Sequence, residues 1–299
     1  MKPFVKWAGG KTQLLPEIEK RLPKSFDTYI EPFVGGGAVL IHLLQNHSNI
    51  ENVFINDLNK DLILCYETIK NYPHDLLKSL LFTQTFYNDI FNTREEKIKM
   101  YYATRNTFNF NNDEPFMLSP LAQEIALKHY NASRATQFIF LNKTCFNGLY
   151  RVNKKGEFNV PWNKKDKINL YDKENIFGLS ELFKNINISC DDYSKTLDNV
   201  TENTFIYIDP PYKPISKTSS FNSYNKDNFN DDEQIRLKEF CDEITKRGGK
   251  FMLSNSATED NFFEDLYKDY KIEYIDAKRQ INSKGDKRGK IKEILITNY

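Results

Sequence analysis

The chain has 299 residues, of which 39% are hydrophobic. That is enough to bury one substantial core with a smaller inserted unit, but hardly two large independent domains. The 42 Lys and Arg against 41 Asp and Glu leave a net charge of +1, so total charge announces no polyanionic partner. No apolar run approaches the roughly 18 residues that a membrane helix needs. The opening Met1-Lys2-Pro3-Phe4-Val5-Lys6-Trp7 lacks a signal-peptide core, so the sequence reads as a soluble protein that stays where it is made.

Cys65, Cys145, Cys190 and Cys241 stand far apart, and His42, His47, His74 and His129 show no ligand spacing. The pattern predicts reduced cytoplasmic thiols, no disulfide framework and no metal site.

In chain order, Gln13 to Arg21 has helical periodicity, Tyr29 to Glu31 reads as a short strand, and Gly35-Gly36-Gly37 leads into a helix from Ala38 to Gln45. Val53 to Ile55 is a second buried strand, ending at Asn56-Asp57. A strand, glycine turn, helix and strand imply a parallel sheet with a right-handed crossover. From Lys60 to Asp172 the pattern becomes helical and rich in Asn, Tyr and Phe, with one helix started by Ser119 and Pro120. A basic stretch without long strands follows, and the abundance of Asn and Lys reads as compositional bias. Strand signals resume at Thr204 to Ile208, Lys250 to Ser254, Ile272 to Ile275 and Ile294 to Thr297, with a helix from Asp232 to Arg247 stopped by Gly248-Gly249. The expected fold is α/β, a doubly wound Rossmann-like sheet split by an insertion. Residues 1–59 and 173–299 would form the catalytic domain and residues 60–172 a mostly helical inserted one.

Glu31-Pro32-Phe33-Val34-Gly35-Gly36-Gly37 follows a strand and opens a helix, so the backbone turns tightly and approaches a ligand closely. Asp57 ends the next strand and suits both hydroxyls of a ribose. Leu40 replaces the third glycine of a dinucleotide fingerprint, and Val5 replaces the first glycine of a P-loop ahead of Gly10-Lys11-Thr12. A phosphate-free nucleoside cofactor fits better than NAD or a nucleoside triphosphate.

Asp209-Pro210-Pro211-Tyr212 lies directly after the strand Thr204 to Ile208. An amino group conjugated to a purine is a poor nucleophile. A carboxylate and a carbonyl accepting both of its hydrogens localise the lone pair and relieve positive charge as an alkyl group arrives. Asp209 and the Pro210 carbonyl suit that task, prolines stiffen the loop, and Tyr212 suits stacking on an extruded base.

These segments together resemble the Dam-type DNA adenine methyltransferases, including restriction-system methylases acting on GATC, over essentially the full length. The matching segments are Phe4-Val5-Lys6-Trp7-Ala8-Gly9-Gly10-Lys11, the glycine turn with Asp57, Phe146-Asn147-Gly148-Leu149-Tyr150-Arg151, Gly156-Glu157-Phe158-Asn159-Val160-Pro161, and Asp209-Pro210-Pro211-Tyr212. Their order is that of the family's alpha group. The resemblance implies S-adenosyl-L-methionine as cofactor, held by Trp7, Lys11, Phe33, Gly35, Gly37, Asp57 and Asp209, with Lys11 on its carboxylate. It implies duplex DNA as partner and pairing with a restriction endonuclease. Asp209, Pro210 and Tyr212 are the implied catalytic set. Leu149, Arg151 and Pro161 fall on base-reading positions, Asn147 near the extruded adenine, and Lys6 and Lys164 on DNA-contacting positions. Phe146 stands where some relatives have tyrosine; its ring still inserts between base pairs but offers no hydroxyl. Arg279, Asn282, Ser283, Arg288 and Lys290, in a second basic segment, are assigned to phosphates.

Alternatives stay open on sequence alone. Trp7 also reads as a core aromatic, Lys11 as a solvated lysine at a helix start, and the basic runs as solvated loops. The same motif serves cytosine N4 or RNA adenine, and a methyltransferase fold that had lost catalysis would be a DNA-binding module.

Overall fold

The computed structural model describes residues 1–110, 120–213, 229–278 and 290–299. They group into two compact units, each assembled from separate stretches. One, helical, comprises Met1–Gly10, Gly35–Gly37 and Asn59–Lys184; the other, built on a sheet, comprises Lys11–Val34, Ala38–Leu58 and Asn185–Tyr299.

In chain order the sheet unit begins with α1 (Leu15–Glu19), β1 (Thr28–Glu31), α2 (Ala38–Asn46) and β2 (Asn52–Asn56). The helical unit then supplies α3 (Lys60–Asn71), α4 (Pro73–Thr85), α5 (Arg94–Asn109), α6 (Pro120–Thr144) and α7 (Lys173–Leu182). The sheet unit resumes with β3 (Ile186–Ser189), β4 (Thr204–Ile208), α8 (Asp231–Lys246), β5 (Lys250–Ser256), α9 (Phe262–Leu266), β6 (Lys271–Lys278) and β7 (Lys290–Thr297).

The seven strands run in the order β3-β2-β1-β4-β5-β7-β6. The first five are parallel, and β7 is antiparallel to both β5 and β6. This is the α/β sheet expected, mostly parallel, with an antiparallel β7 that the sequence reading did not foresee. β1 and β4 are buried at every position, as a central parallel strand covered on both faces must be, and so neither alternates between a buried and an exposed face. Ile30, Ile206, Ile208, Phe251 and Leu253 join Leu237, Phe240 and Ile244 of α8 in one core. Each such side chain contributes roughly 1.5–3 kcal/mol on burial. β3 escaped the sequence reading because it is four residues at the sheet edge, with Asn187 in its middle and only Ile186 buried.

α8 shows how local chemistry sets an element's ends. The Asn230 side chain accepts from Glu233 N, and Asp231, Asp232 and Glu233 fill the positive first turn. At the other end Gly248 N and Gly249 N bond the Thr245 and Ile244 carbonyls, both at 3.0 Å, the paired bonds that close a helix. The chain leaves β1 towards β2 and β3 but leaves β4 towards β5 on the other side. The carboxyl ends of β1 and β4 therefore flank the reversal point, where sheets of this class open a ligand crevice.

In the helical unit, Tyr66, Tyr87, Tyr101, Phe138 and Phe140 are fully buried. The irregular segment 145–171 has almost no strand partners, so its backbone needs other ones. Asn109 bonds both polar groups of Phe158 (2.8 and 3.0 Å), Asn88 both of Ile168 (2.8 and 2.9 Å), and Gln84 accepts from Leu170 N and Tyr171 N. Tyr101 and Tyr87 donate to the Val160 and Lys165 carbonyls. The richness in Asn is therefore more than compositional bias: helix amides stand in for the missing ladder.

Candidate active site

In the sheet unit, Asp209 follows β4 directly. Lys11, in a short turn before α1 and only 5% exposed, places its ammonium 2.7 Å from both Asp209 oxygens. Lys11 is thus not a solvated lysine. Ser254 of β5 donates to Asp209 Oδ1 at 3.1 Å and lies 3.1 Å from the Tyr207 hydroxyl. Burial pushes the Asp209 carboxyl above its ordinary value, against the opposing pull of Lys11. The Lys11 ammonium also sits 4.7 Å from the centre of the Tyr212 ring, whose hydroxyl donates to Glu293 Oε2 at 2.9 Å. Asp209, Tyr212 and Lys11 are therefore brought together. Pro210, next in the chain after Asp209, is buried.

Two further carboxylates in this unit were not singled out. Glu31, at the end of β1 and 3% exposed, accepts from the Tyr29 hydroxyl at 2.8 Å. Burial raises its carboxyl to about 8, with Asp209 adding in the same direction. Glu293, on β7, is raised chiefly by burial, with Lys11 opposing. Their only sequence signal was an acidic residue inside an apolar strand.

Around the other candidates, Asn56 is buried and acts as a knot. Its Nδ2 donates to the Pro32 carbonyl (3.1 Å) and the Asp191 carbonyl (2.9 Å), while its Oδ1 accepts from Asp191 N and from Ser189. That fixes the segment after β1 against the one after β3. Phe33 packs its ring 5.1 Å from Tyr193 and 6.0 Å from Phe229. Asp57 follows β2 immediately and is half-buried.

Trp7, Gly35 and Gly37 belong to the helical unit. Trp7 is half-buried, its indole 5.7 Å from the Tyr150 ring and 6.3 Å from that of Phe138. Gly35 has φ +47° and a Cβ there would lie 2.7 Å from the indole; Gly37 has φ +69° and a Cβ there would strike the Tyr66 hydroxyl. That hydroxyl donates to the Gly35 carbonyl at 2.9 Å. Within the chain, the close approach that demands glycine is made by Trp7 and Tyr66.

The same unit gathers most of the expected DNA-contacting residues. Phe146 N bonds the Pro161 carbonyl at 2.8 Å, beside a bridge between Cys145 and Trp162. Phe146 is 51% exposed. Asn147 follows it in the left-handed region (φ 58°), which asparagine tolerates, and Lys164 is left-handed too (φ 61°). Buried Asn142 ties this turn down, donating to the Gly148 and Lys6 carbonyls at 3.1 and 2.8 Å and accepting from Lys6 N at 2.8 Å. Leu149 is half-buried. Arg151 Nε donates to Asn159 Oδ1 at 2.6 Å, and its NH2 to the Asn159 carbonyl at 3.3 Å. Asn142 and Asn159 went unnoticed because an amide's partner is set by tertiary contact.

Arg279, Asn282, Ser283 and Arg288 lie outside the described residues, and Lys290 begins β7. Among the described residues no three His, Cys, Asp or Glu side chains are arranged to hold a metal, and no helix is long and apolar enough to cross a membrane.

Residues 7–281 match the model of a family described as D12 class N6 adenine-specific DNA methyltransferase. The chain is 48% identical to the Type II methyltransferase M.MjaIII of Methanocaldococcus jannaschii, covering 100% of this chain and 99% of that protein. It is 36% identical to the Type II methyltransferase M1.LlaDCHI of Lactococcus lactis subsp. cremoris, covering 100% and 96%. It is 30% identical to the DNA adenine methylase of Escherichia coli K12, covering 98% and 93%.

Proposed function

From the premise that the chain belongs to the D12 class of N6 adenine-specific DNA methyltransferases, we propose that it uses S-adenosyl-L-methionine to methylate N6 of an adenine extruded from duplex DNA within GATC. The observation that carries this reading is Asp209, held by Lys11 and Ser254 at the carboxyl end of β4 beside the reversal point of the sheet.

The residues suit the cofactor. Phe33 offers an aromatic face packed on Tyr193, whose buried hydroxyl has no hydrogen-bond partner among the described residues and so suits a polar ligand edge. Asp57, after β2, is assigned to the ribose hydroxyls, and Lys11 provides the cation for a carboxylate. Trp7, Gly35 and Gly37 complete the proposed cofactor set. When bound, the cofactor supplies an electrophilic methyl group on a sulfonium.

Asp209 and the Pro210 carbonyl accept the two N6 hydrogens, which localises the nitrogen lone pair towards the incoming methyl. Lys11, 2.7 Å from both carboxyl oxygens, favours the ionised, accepting form of Asp209 against the burial that raises its carboxyl. Tyr212 stacks on the extruded base.

The helical unit is assigned to target recognition. Arg151 donates to guanine O6 and N7, Leu149 and Pro161 touch thymine methyl or base edges, and Phe146 wedges into the stack near Asn147. Lys6, Lys164, Arg279, Arg288 and Lys290 neutralise phosphates, and Asn282 and Ser283 donate hydrogen bonds to them. Pairing with a restriction endonuclease is part of the proposal, in keeping with the Type II names of two relatives.

The test is transfer of labelled methyl to duplexes carrying GATC or a scrambled site, followed by mass analysis of the nucleosides. N6-methyladenine confined to GATC duplexes supports the whole reading. Equal methylation of both removes the sequence assignment, and N4-methylcytosine removes the adenine.

A further inference from the structure

β7 is the strand that breaks the parallel order, and its pairing with β5 sets Glu293 opposite Ser256. That single rung grips two consecutive residues of the loop after β4. Glu293 Oε2 accepts from the Tyr212 hydroxyl at 2.9 Å, and the Ser256 hydroxyl donates to the Lys213 carbonyl. Asn255 accepts from Lys213 N at 3.2 Å, and Gln234 of α8 donates to the Pro211 carbonyl at 3.3 Å. Three of the four ties hold backbone. The Glu293 tie holds the far end of an aromatic side chain, so it restrains the swing of the Tyr212 ring about its Cα–Cβ bond. Lys11 restrains one face of that ring at 4.7 Å.

We infer that Glu293 is a positioning residue, which acts through the Tyr212 hydroxyl to hold the ring at a preset angle for stacking on the extruded base. The inference rests on the proposed methylation of an extruded adenine. The alternative is that Glu293 acts by its charge on Lys11 and Asp209, its other titratable neighbours. Ser254 and Asp209 also lie close to the Tyr212 hydroxyl. A ring fixed before the base arrives loses less freedom on stacking, so the benefit falls on the bound complex and the chemical step rather than on cofactor affinity.

The experiment is a double-mutant cycle read by single-turnover methyl transfer, with 2-aminopurine fluorescence at the target position reporting base stacking. Glu293→Ala is expected to slow transfer roughly tenfold, the scale of one charge-assisted hydrogen bond, and to weaken quenching of the extruded base. Cofactor affinity is expected to stay unchanged. Glu293→Gln keeps an acceptor oxygen and should restore most of the rate. In a Tyr212→Phe background, which keeps the ring and removes the hydroxyl, Glu293→Ala should cause no further loss. Losses that multiply in the double variant, or Glu293→Gln as slow as Glu293→Ala, overturn the inference and point to charge. A wild-type protein inert towards all DNA overturns the parent reading and this inference with it.

Discussion

The Asp209 cluster of the sheet unit and the Phe146–Pro161 turn of the helical unit are held by opposite means. In the first, the functional side chains are themselves the fastened parts: Asp209 by Lys11 and Ser254, Tyr212 by Glu293. In the second, buried Asn142 and the Phe146–Pro161 bond fasten backbone, and the side chains at the tip, Phe146 and Asn147, are exposed. Arg151, held by Asn159, is intermediate. The difference fits the two proposed tasks. Chemistry needs charges fixed in advance, whereas recognition must adapt to a duplex that is being deformed.

The largest expected effect breaks the first arrangement. Asp209→Asn keeps the shape but removes the charge that pairs with Lys11, and single-turnover transfer should fall about a thousandfold, as when one preorganised electrostatic partner is lost. Duplex affinity should hold within a small factor; a parallel collapse of binding would merge the two regions into one.

Glu31→Gln sharpens the comparison by asking what burial costs the cluster. In the folded protein Glu31 keeps its proton up to about 8, against an ordinary value of 4.5. An unfolded chain releases it at the lower value, so wild-type stability falls as pH rises through that window and levels off above it. The Gln variant should match wild type near pH 4 and gain on the order of 4 kcal/mol at pH 8, read as a difference in Tm that widens with pH. A pH-independent difference would contradict the assignment.

Arg151→Ala is aimed at the other region. Discrimination between GATC and a site with its guanine replaced should shrink by about 2 kcal/mol, while transfer on the poorer site stays near the wild-type rate. A uniform drop on both duplexes would instead mark Arg151 as a phosphate contact. The smallest effect is expected from Asn142→Ala, which leaves the Gly148 and Lys6 carbonyls without their amide. It should lower stability by about 1–2 kcal/mol and raise KM for DNA without changing the affinity for cofactor.

Much of this division could be read from the sequence. The central strand β4 announced itself as a short apolar run, and the Asp-Pro-Pro-Tyr motif at its end marked where Asp209 would sit. The order of motifs gave an expected insertion over residues 60–172, whereas the helical unit also takes in Met1–Gly10, Gly35–Gly37 and residues 173–184. The partners that hold the sites were not legible. Ser254 reaches Asp209 across a separation of 45 residues, and Glu293 reaches Tyr212 across 81; both depend on sheet register, which single residues do not encode. The antiparallel turn of β7 was equally hidden, because its apolar pattern suits either direction. The amides Asn56, Asn142 and Asn159 carried no legible role, because their partners are set by tertiary contact.

The most direct test of the central claim, that the buried Asp209 cluster performs adenine N6 methylation, is nucleoside mass analysis of one duplex after a single turnover with wild-type protein and with Asp209→Asn at equal DNA occupancy. The account predicts stoichiometric N6-methyladenine with the first and almost none with the second. N6-methyladenine formed at similar rates by both would contradict it, and would move the chemistry away from Asp209.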